Sequence, residues 1–303
     1  MPIFVSNTVT DESGRELLEY GTADFPIAYY DDNLDYVAVP WHWHPEFELI
    51  LVTRGRERVR AGGRSFDVRA GEACFINGGV LHTAEPLEPS TAQHTMVFGA
   101  YVLGDEPSVY YQKYLLPLLK DGTKQAFHLK ADGQWQSRAI EDLEAAWQAG
   151  SGDEPGCELK VRNRLSEIIW MILTHGNGQR TAEPAAAVRD TERIKRMLSF
   201  LEQHFDEPVT LEQIAGSAAV CVSEALRCFR RTVNQTPIQF LKNMRILKSA
   251  DMLAGTDLPV HEIAEACGFQ DMSYYAREFR KRKGCTPMEF RNRIRRLAEG
   301  QPA

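Results

Sequence analysis

The chain has 303 residues, 43% of them hydrophobic, with 42 acidic and 35 basic side chains and a formal net charge of −7. That balance is ordinary for a folded globular protein and excludes a disordered chain. Six cysteines are scattered without a CxxC or other paired spacing, which excludes a disulfide-dense secreted scaffold, and no apolar run approaches the roughly 18–20 residues that span a bilayer.

Met1 to Asp11 has neither the basic start nor the apolar run of a secretory signal, so the expected setting is the cytoplasm, with no membrane partner. The length suggests two domains. Residues 25–105 read as short strands: Phe47–Val52 and Ser65–Val68 are β-rich, and Gly55, Gly62-Gly63, Gly71 and Gly78-Gly79 punctuate them. Frequent short strands with regular turns predict a closed barrel or sandwich. From about 108 the pattern turns helical. Ile140, Leu143 and Trp147 recur at helical steps within Ser137–Ala149, and Leu165, Ile168, Ile169 and Ile172 share one face of a helix from about Glu158 to Thr174. A segment rich in small residues with Pro184 reads as a linker over 179–189, leaving 1–178 and 190–303 as the two domains. Everything after Asp190 looks helical.

Charge is divided along the same boundary. Residues 190–297 hold 18 basic and 14 acidic side chains, net +4, and the remainder holds 17 and 28, net −11. A polyanion contact therefore belongs at the C-terminus, although a solvated helical face would carry a similar balance.

The C-terminal region contains an internal repeat. Phe229-Arg230-Arg231-Thr232-Val233-Asn234-Gln235-Thr236-Pro237 is echoed 50 residues on by Phe279-Arg280-Lys281-Arg282-Lys283-Gly284-Cys285-Thr286-Pro287, and the offset holds from Phe240 to Phe290. Upstream, Ile214-Ala215 matches Ile263-Ala264 at an offset of 49, so the copies differ by one residue in the turn between their helices. Each copy reads as a short helix with an inward Ile-Ala pair, a turn, and a second helix anchored by its Phe. Asn234 and Gly284 suit the left-handed conformation that closes a helix, and Thr-Pro starts the next one. This is helix-turn-helix design, whose second helix enters the major groove.

Ile263-Ala264-x-x-Cys267-Gly268-Phe269-x-Asp271-x-Ser273-Tyr274-Tyr275-x-Arg277-x-Phe279, continuing to Gly284-x-Thr286-Pro287-x-x-Phe290-Arg291, resembles the signature of AraC/XylS-family transcription regulators. The resemblance implies two such motifs bridged by a long helix, here about Pro237–Gly255 with Phe240, Leu241, Met244, Leu247 and Leu253 inward, and reading successive major grooves. The first motif departs from the pattern: Ala219 stands at the turn glycine, Cys221 at the Ser N-cap and Ala225 at a larger apolar position. For base reading the two second helices offer Ser223, Glu224 and Arg227, and Ser273, Tyr274 and Arg277. An arginine can bond guanine O6 and N7 together, or contact phosphate alone. Arg230, Arg280, Lys281 and Lys283 read as phosphate contacts or solvated charges.

His42-Trp43-His44-Pro45-Glu46-Phe47-Glu48, then Gly55, resembles the first cupin motif, and Gly71 through Pro86, with Gly79 and His82, resembles the second. In metal cupins the positions matching His42, His44, Glu48 and His82 bind one divalent ion. Residues at even spacing on a strand point one way, so His42, His44 and Glu48 are expected to converge. Three imidazoles and a carboxylate suit Zn, Ni, Mn, Fe or Cu; the same groups could instead hydrogen-bond a small effector or cap strand ends. Trp41 and Trp43 beside them offer an apolar floor for a sugar-like ligand, or ordinary core. His94, His128 and His175 read as surface or packing residues. The stripes on the two central helices form either the dimer surface that the resemblance implies or packing against the barrel.

The expected fold is therefore α+β and multidomain: a cupin-like β-barrel with trailing helices, then an all-α pair of helix-turn-helix motifs joined by a long helix. The expected function is effector-responsive, sequence-specific DNA-binding transcription regulation, with double-stranded DNA, a small-molecule effector, RNA polymerase and a second copy as partners. A metal sensor, or a metal-dependent cupin enzyme fused to a DNA-binding module, is the alternative.

Overall fold

The computed structural model describes residues 24–152, 155–176 and 185–298, with positions 3, 8, 10, 15–18 and 22 before them. The chain divides into two units, Met1–Glu192 and Arg193–Ala303.

Among the described residues of the first unit, nine strands make two antiparallel sheets: β1 (Ile27–Asn33), β2 (Val39–His42), β3 (Phe47–Arg54), β4 (Arg56–Ala61), β5 (Arg64–Arg69), β6 (Ala73–Ile76), β7 (His82–Pro86), β8 (Ala92–Phe98) and β9 (Ala126–Leu129). One sheet has the order β1-β8-β3-β6-β9, the other β2-β7-β4-β5. The β4–β5 hairpin closes on Gly62 and Gly63, both at positive φ (56° and 72°), the conformation a two-residue hairpin turn demands.

Strand β3 is apolar on both faces because both are covered. Phe47, Leu49 and Leu51 join the larger core, whereas Ile50 and Val52 join a second cluster inside the barrel with Val59, Ala61, Val68, Cys74 and Ile76. Helix α1 (Leu116–Lys120) follows a single π-helical turn, and α2 (Gln134–Ser151) and α3 (Cys157–His175) then pack against the first sheet. The expected helical stripes, Ile140, Leu143 and Trp147 with Leu165, Ile169 and Ile172, are buried in that larger core beside Phe47, Phe75 and Phe98. They are packing residues and offer no dimer surface. Strand β9 interrupts the stretch read as helical from 108. Its four residues are too few to show a period, and pairing with β6 from Ala73↔Leu129 to Ile76↔Ala126 satisfies its backbone.

Residues 179–184 of the expected linker lie outside the described residues, and its last five open helix α4 (Ala185–Gln203). The small residues Ala185-Ala186-Ala187 read as linker, but alanine is also the best helix former.

The second unit continues with α5 (Leu211–Ser217), α6 (Val222–Thr232), α7 (Pro237–Gly255), α8 (Val260–Ala266), α9 (Met272–Lys283) and α10 (Pro287–Ala298). Thr210 and Thr236 each accept from the backbone N–H of a Gln three residues on, whose side chain accepts in return from the Thr N–H. Thr286 and Glu289 do the same at α10. The repeat extends to its core rings: Phe229 meets Phe240 edge-on at 5.8 Å, and Phe279 meets Phe290 edge-on at 5.6 Å. Asn234 and Gly284 both take positive φ, as their positions require. On α7, Phe240, Leu241 and Leu253 are buried as expected; Ile246 and Ala250 are buried too, while Met244 and Leu247 are only half so.

The turns confirm where the copies diverge. Val220 N–H donates to Ala215 O and Phe269 N–H to Ala264 O, so Ala219 and Gly268 are equivalent, and Gln270 is the extra residue. Ala219 nevertheless holds φ 54°, the left-handed region that costs an L-residue about 1–2 kcal/mol. At the start of α6, Cys221 makes no side-chain cap, whereas Asp271 caps α9 by accepting from Tyr274 N–H at 2.9 Å. Ala219→Gly is therefore expected to stabilise the second unit. The strain relieved exceeds the extra unfolded-state freedom of glycine (about 0.4–1 kcal/mol), leaving a gain of about 0.5–1 kcal/mol and a few degrees in Tm. A lower Tm for this variant would show that the turn is not strained.

Candidate functional site

The four residues His42, His44, Glu48 and His82 meet inside the barrel, but not because they share one strand. His42 ends β2 and His82 begins β7, where the two are cross-strand partners. The chain turns at Pro45 and Glu46, and Glu48 then enters from β3 in the facing sheet. One potential ligand atom from each lies within 4.8 Å of the others, and all four side chains are buried. The imidazoles stand at tilted and edge-on angles, with centroids 4.1–5.7 Å apart.

The backbone sets the direction of each ring. Nδ1 of His42 lies 2.9 Å from Pro40 O, Nδ1 of His44 3.2 Å from Glu46 O, and Nδ1 of His82 2.8 Å from Val80 O. A ring nitrogen facing a carbonyl carries the proton and donates, which leaves Nε2 toward the cluster. Nε2 of His44 is 3.2 Å from Glu48 Oε2. Nε2 of His82 is 2.6 Å from the same oxygen, a close contact with the shared carboxylate. Three Nε2 atoms oriented by their opposite nitrogens and one shared carboxylate, with one ligand atom of each residue within 4.8 Å of the others, fit a divalent transition metal.

Burial and the neighbouring His82 hold His42 well below the usual histidine range. Burial alone would raise Glu48, but the charge of His82 and the contact with His44 outweigh it and keep the carboxyl well below its usual value. His82 is raised: burial opposes its charge, and Glu48 more than compensates.

Further polar groups line the interior that sequence reasoning did not single out. Asp32, Glu57, Gln93 and Thr95 are buried. In the amide orientation that satisfies both partners, Gln93 donates to the two Glu57 oxygens at 2.7 and 3.2 Å. Burial, then Glu48 and Asp32, push the Glu57 carboxyl up to about 8. The signal was present in the phase of β4, where Glu57 shares the inward face with buried Val59 and Ala61. Glu16 also lies beside the cluster, its carboxyl pushed up to about 8 by burial and then by Glu48.

Trp41 and Trp43 are not brought into the cluster. They alternate with His42 and His44 and stay half-buried while the histidines are buried. His94 stacks flat on Trp147 at 3.6 Å, His128 Nε2 lies 2.9 Å from Glu72, and His175 stacks near Trp135, all consistent with packing roles.

On the second unit, the second helix of each motif presents its expected face. Ser223, Arg227 and Arg230 on α6, and Ser273, Arg277, Arg280 and Lys281 on α9, are exposed, while Glu224 and Tyr274 are half-buried. The two arginines differ in company. Glu224 pairs with Arg227 and, at 2.8 Å, with Arg193. Arg277 has no ion pair among the described residues and lies over the Tyr274 ring at 5.3 Å, with Lys242 of α7 over the same ring at 5.3 Å. Lys283 is half-buried over Phe290 and its pKa is lowered by burial, so it is not the solvated charge its sequence suggests.

Arg245 of α7 ties the turns together, donating to Phe205 O (2.6 Å), Glu207 O (2.6 Å) and Gly268 O (2.9 Å). Arg291 does the same for the end of α7 and the following loop, donating to Leu253 O and Leu258 O.

A double-sheet domain with a buried polar interior, joined to two helix-turn-helix motifs, defines a regulator with separate ligand-binding and DNA-binding parts. Comparison with known proteins agrees. Residues 24–98 match the AraC-like ligand binding domain and residues 214–293 a helix-turn-helix domain. The chain is 27% identical to the HTH-type transcriptional regulator YdeC of Bacillus subtilis over 95% of this chain and 99% of that one. It is 26% identical to the transcriptional activator RhaS of Citrobacter koseri, covering 88% of this chain and 92% of that one. Among solved structures, fatty-acid-bound ToxT of Vibrio cholerae aligns over 91% of this chain and 97% of its own at 11% identity and a TM-score of 0.43. The chain belongs to the AraC family of transcriptional regulators: it is a DNA-binding regulator with an N-terminal ligand-binding domain. No helix among its described residues is long and apolar enough to cross a membrane.

Proposed function

We propose that the barrel is the sensor, that the buried His42–His44–Glu48–His82 cluster is where it reads a small-molecule effector, and that the cluster holds a divalent transition metal, one of Zn, Ni, Mn, Fe or Cu. The observation that carries this reading is the convergence of His42, His44, Glu48 and His82 in a buried interior, one ligand atom of each within 4.8 Å of the others. A metal there would supply a Lewis-acidic anchor for oxygen atoms of a sugar-like effector. The protein's own part is to orient the rings through Pro40, Glu46 and Val80 and to keep the site dry.

Occupancy would shift an equilibrium between states that differ in DNA affinity, for which a coupling of about 1–3 kcal/mol suffices. DNA is read by Ser223, Glu224 and Arg227 and by Ser273, Tyr274 and Arg277, with Arg230, Arg280 and Lys281 on phosphates. The setting is the cytoplasm, in keeping with six free cysteines, and the working form is a homodimer that engages RNA polymerase at its promoter. Exposed Leu159 and Trp170 on α3 support a face for the second copy in place of the buried stripes.

The test is a gel-shift titration of the full chain against fragments of its own gene neighbourhood, with competitor DNA at stated salt. One fragment should be retained selectively, and chelator-stripped and metal-loaded protein should differ in Kd for it by about 5- to 150-fold. Glu48→Gln should remove that difference. The same Kd for stripped, loaded and Glu48→Gln protein would overturn the sensing role of the cluster.

A further inference from the structure

Among the described residues before the barrel, Glu16 lies against the cluster. Glu16 N–H donates to Trp43 O at 2.9 Å, and Arg15 forms a parallel bridge with Trp43, which fixes Glu16 alongside the His42-Trp43-His44 stretch. Its carboxylate is nine-tenths buried, with Oε2 3.5 Å from His42 Nε2. That nitrogen is the one facing the cluster, because Nδ1 of the same ring already donates to Pro40 O. At 3.5 Å the pair is too long for a good hydrogen bond, so it does not by itself account for a buried carboxylate at this spot.

We propose that Glu16 is a fifth donor to the metal held by His42, His44, Glu48 and His82, a residue outside the sequence motif that defines that set. The proposal rests on the cluster's being a metal site. Charge supports it. Three neutral imidazoles and the Glu48 carboxylate leave a divalent ion with one uncompensated positive charge, and an unpaired charge in a buried site is costly. A second carboxylate brings the site to neutrality. Glu16 is the carboxylate the structure places against a ring nitrogen that faces the cluster, without being one of the four. Its side chain has rotatable bonds between a fixed backbone and the ring it faces, so small torsional changes move the oxygen toward the other donors.

The experiment uses full-length protein stripped with chelator and titrated calorimetrically with Mn(II) and with Zn(II), alongside Glu16→Gln, Glu16→Asp and His82→Ala. Melting curves of the stripped proteins check that each variant is folded. Glu16→Gln should weaken metal affinity by about 10- to 100-fold, Glu16→Asp should fall between it and the parent, and His82→Ala should weaken it most. Water-proton relaxation by the Mn(II)-loaded Glu16→Gln protein should also rise, because water takes the position the carboxylate leaves. Unchanged affinity and unchanged relaxation in Glu16→Gln, with binding lost in His82→Ala, would overturn the role of Glu16 and leave the four-residue site standing. Failure of the parent protein to bind either ion would overturn both.

Discussion

Replacing Gly268 with alanine is expected to destabilise the second unit by about 3 kcal/mol or more. Gly268 sits at φ 74°, where an L-residue pays about 1–2 kcal/mol. The larger effect is steric. A Cβ there would stand 2.8 Å from the Arg245 guanidinium carbon and 2.8 Å from Asp206 O, so neither neighbour can stay where it is. Moving Arg245 disturbs its hydrogen bonds to Phe205, Glu207 and Gly268, and hydrogen bonds to a charged group contribute about 1.5–3 kcal/mol each. Thermal melting should show a fall in Tm of roughly 10 °C or more for a unit of this size. The contrast with Ala219→Gly, at the equivalent position of the first motif, is the control: one exchange loses stability and the other gains it. A change of less than about 1 kcal/mol in Gly268→Ala would mean that Arg245 does not hold the turn.

The second large effect is expected at Arg277. Arg277→Ala should weaken binding to the cognate site by about 1–3 kcal/mol, a loss of about 5- to 150-fold, while leaving nonspecific DNA affinity nearly intact. Arg227→Ala should cost less. Arg227 is already engaged by Glu224, which Arg193 also holds, so contact with a base must first break an ion pair. Arg277 rests on the Tyr274 ring and gives up only that contact. Titrations at one salt concentration, on cognate and scrambled duplexes, separate the cases. Equal losses on both duplexes would show that Arg277 touches backbone alone.

What the sequence made legible was local. Helix α7 runs from Pro237 to Gly255 as expected because the signals at its start, Thr236 and Pro237, are adjacent in the chain and act on neighbouring N–H groups. The identities of the barrel cluster were also readable, but the reason for their convergence was not. One strand was expected to carry His42, His44 and Glu48; instead, β3 brings Glu48 from the facing sheet, a pairing between distant segments that periodicity does not encode. The stripe on α2 and α3 announced that a face is buried without saying against what, and the barrel, not a second copy, covers it. Glu224 and Arg227 have the spacing of a helical ion pair, whereas the contribution of Arg193 from α4 is tertiary. Glu16 carries no motif at all, and only the bridge to Trp43 reveals its place.

Strand β3 is one pleated wall with a room on either side. Glu48 faces the imidazoles, while its immediate neighbours Phe47 and Leu49 are wedged beneath the helical layer that includes Leu143, Leu165 and Ile169. Close-packed interiors transmit displacement because they have little free volume to absorb it. A tug on the Glu48 carboxylate is therefore also a push on two large side chains facing the other way. Any displacement of Glu48 would thus be felt on the opposite face of β3, where α2 and α3 pack.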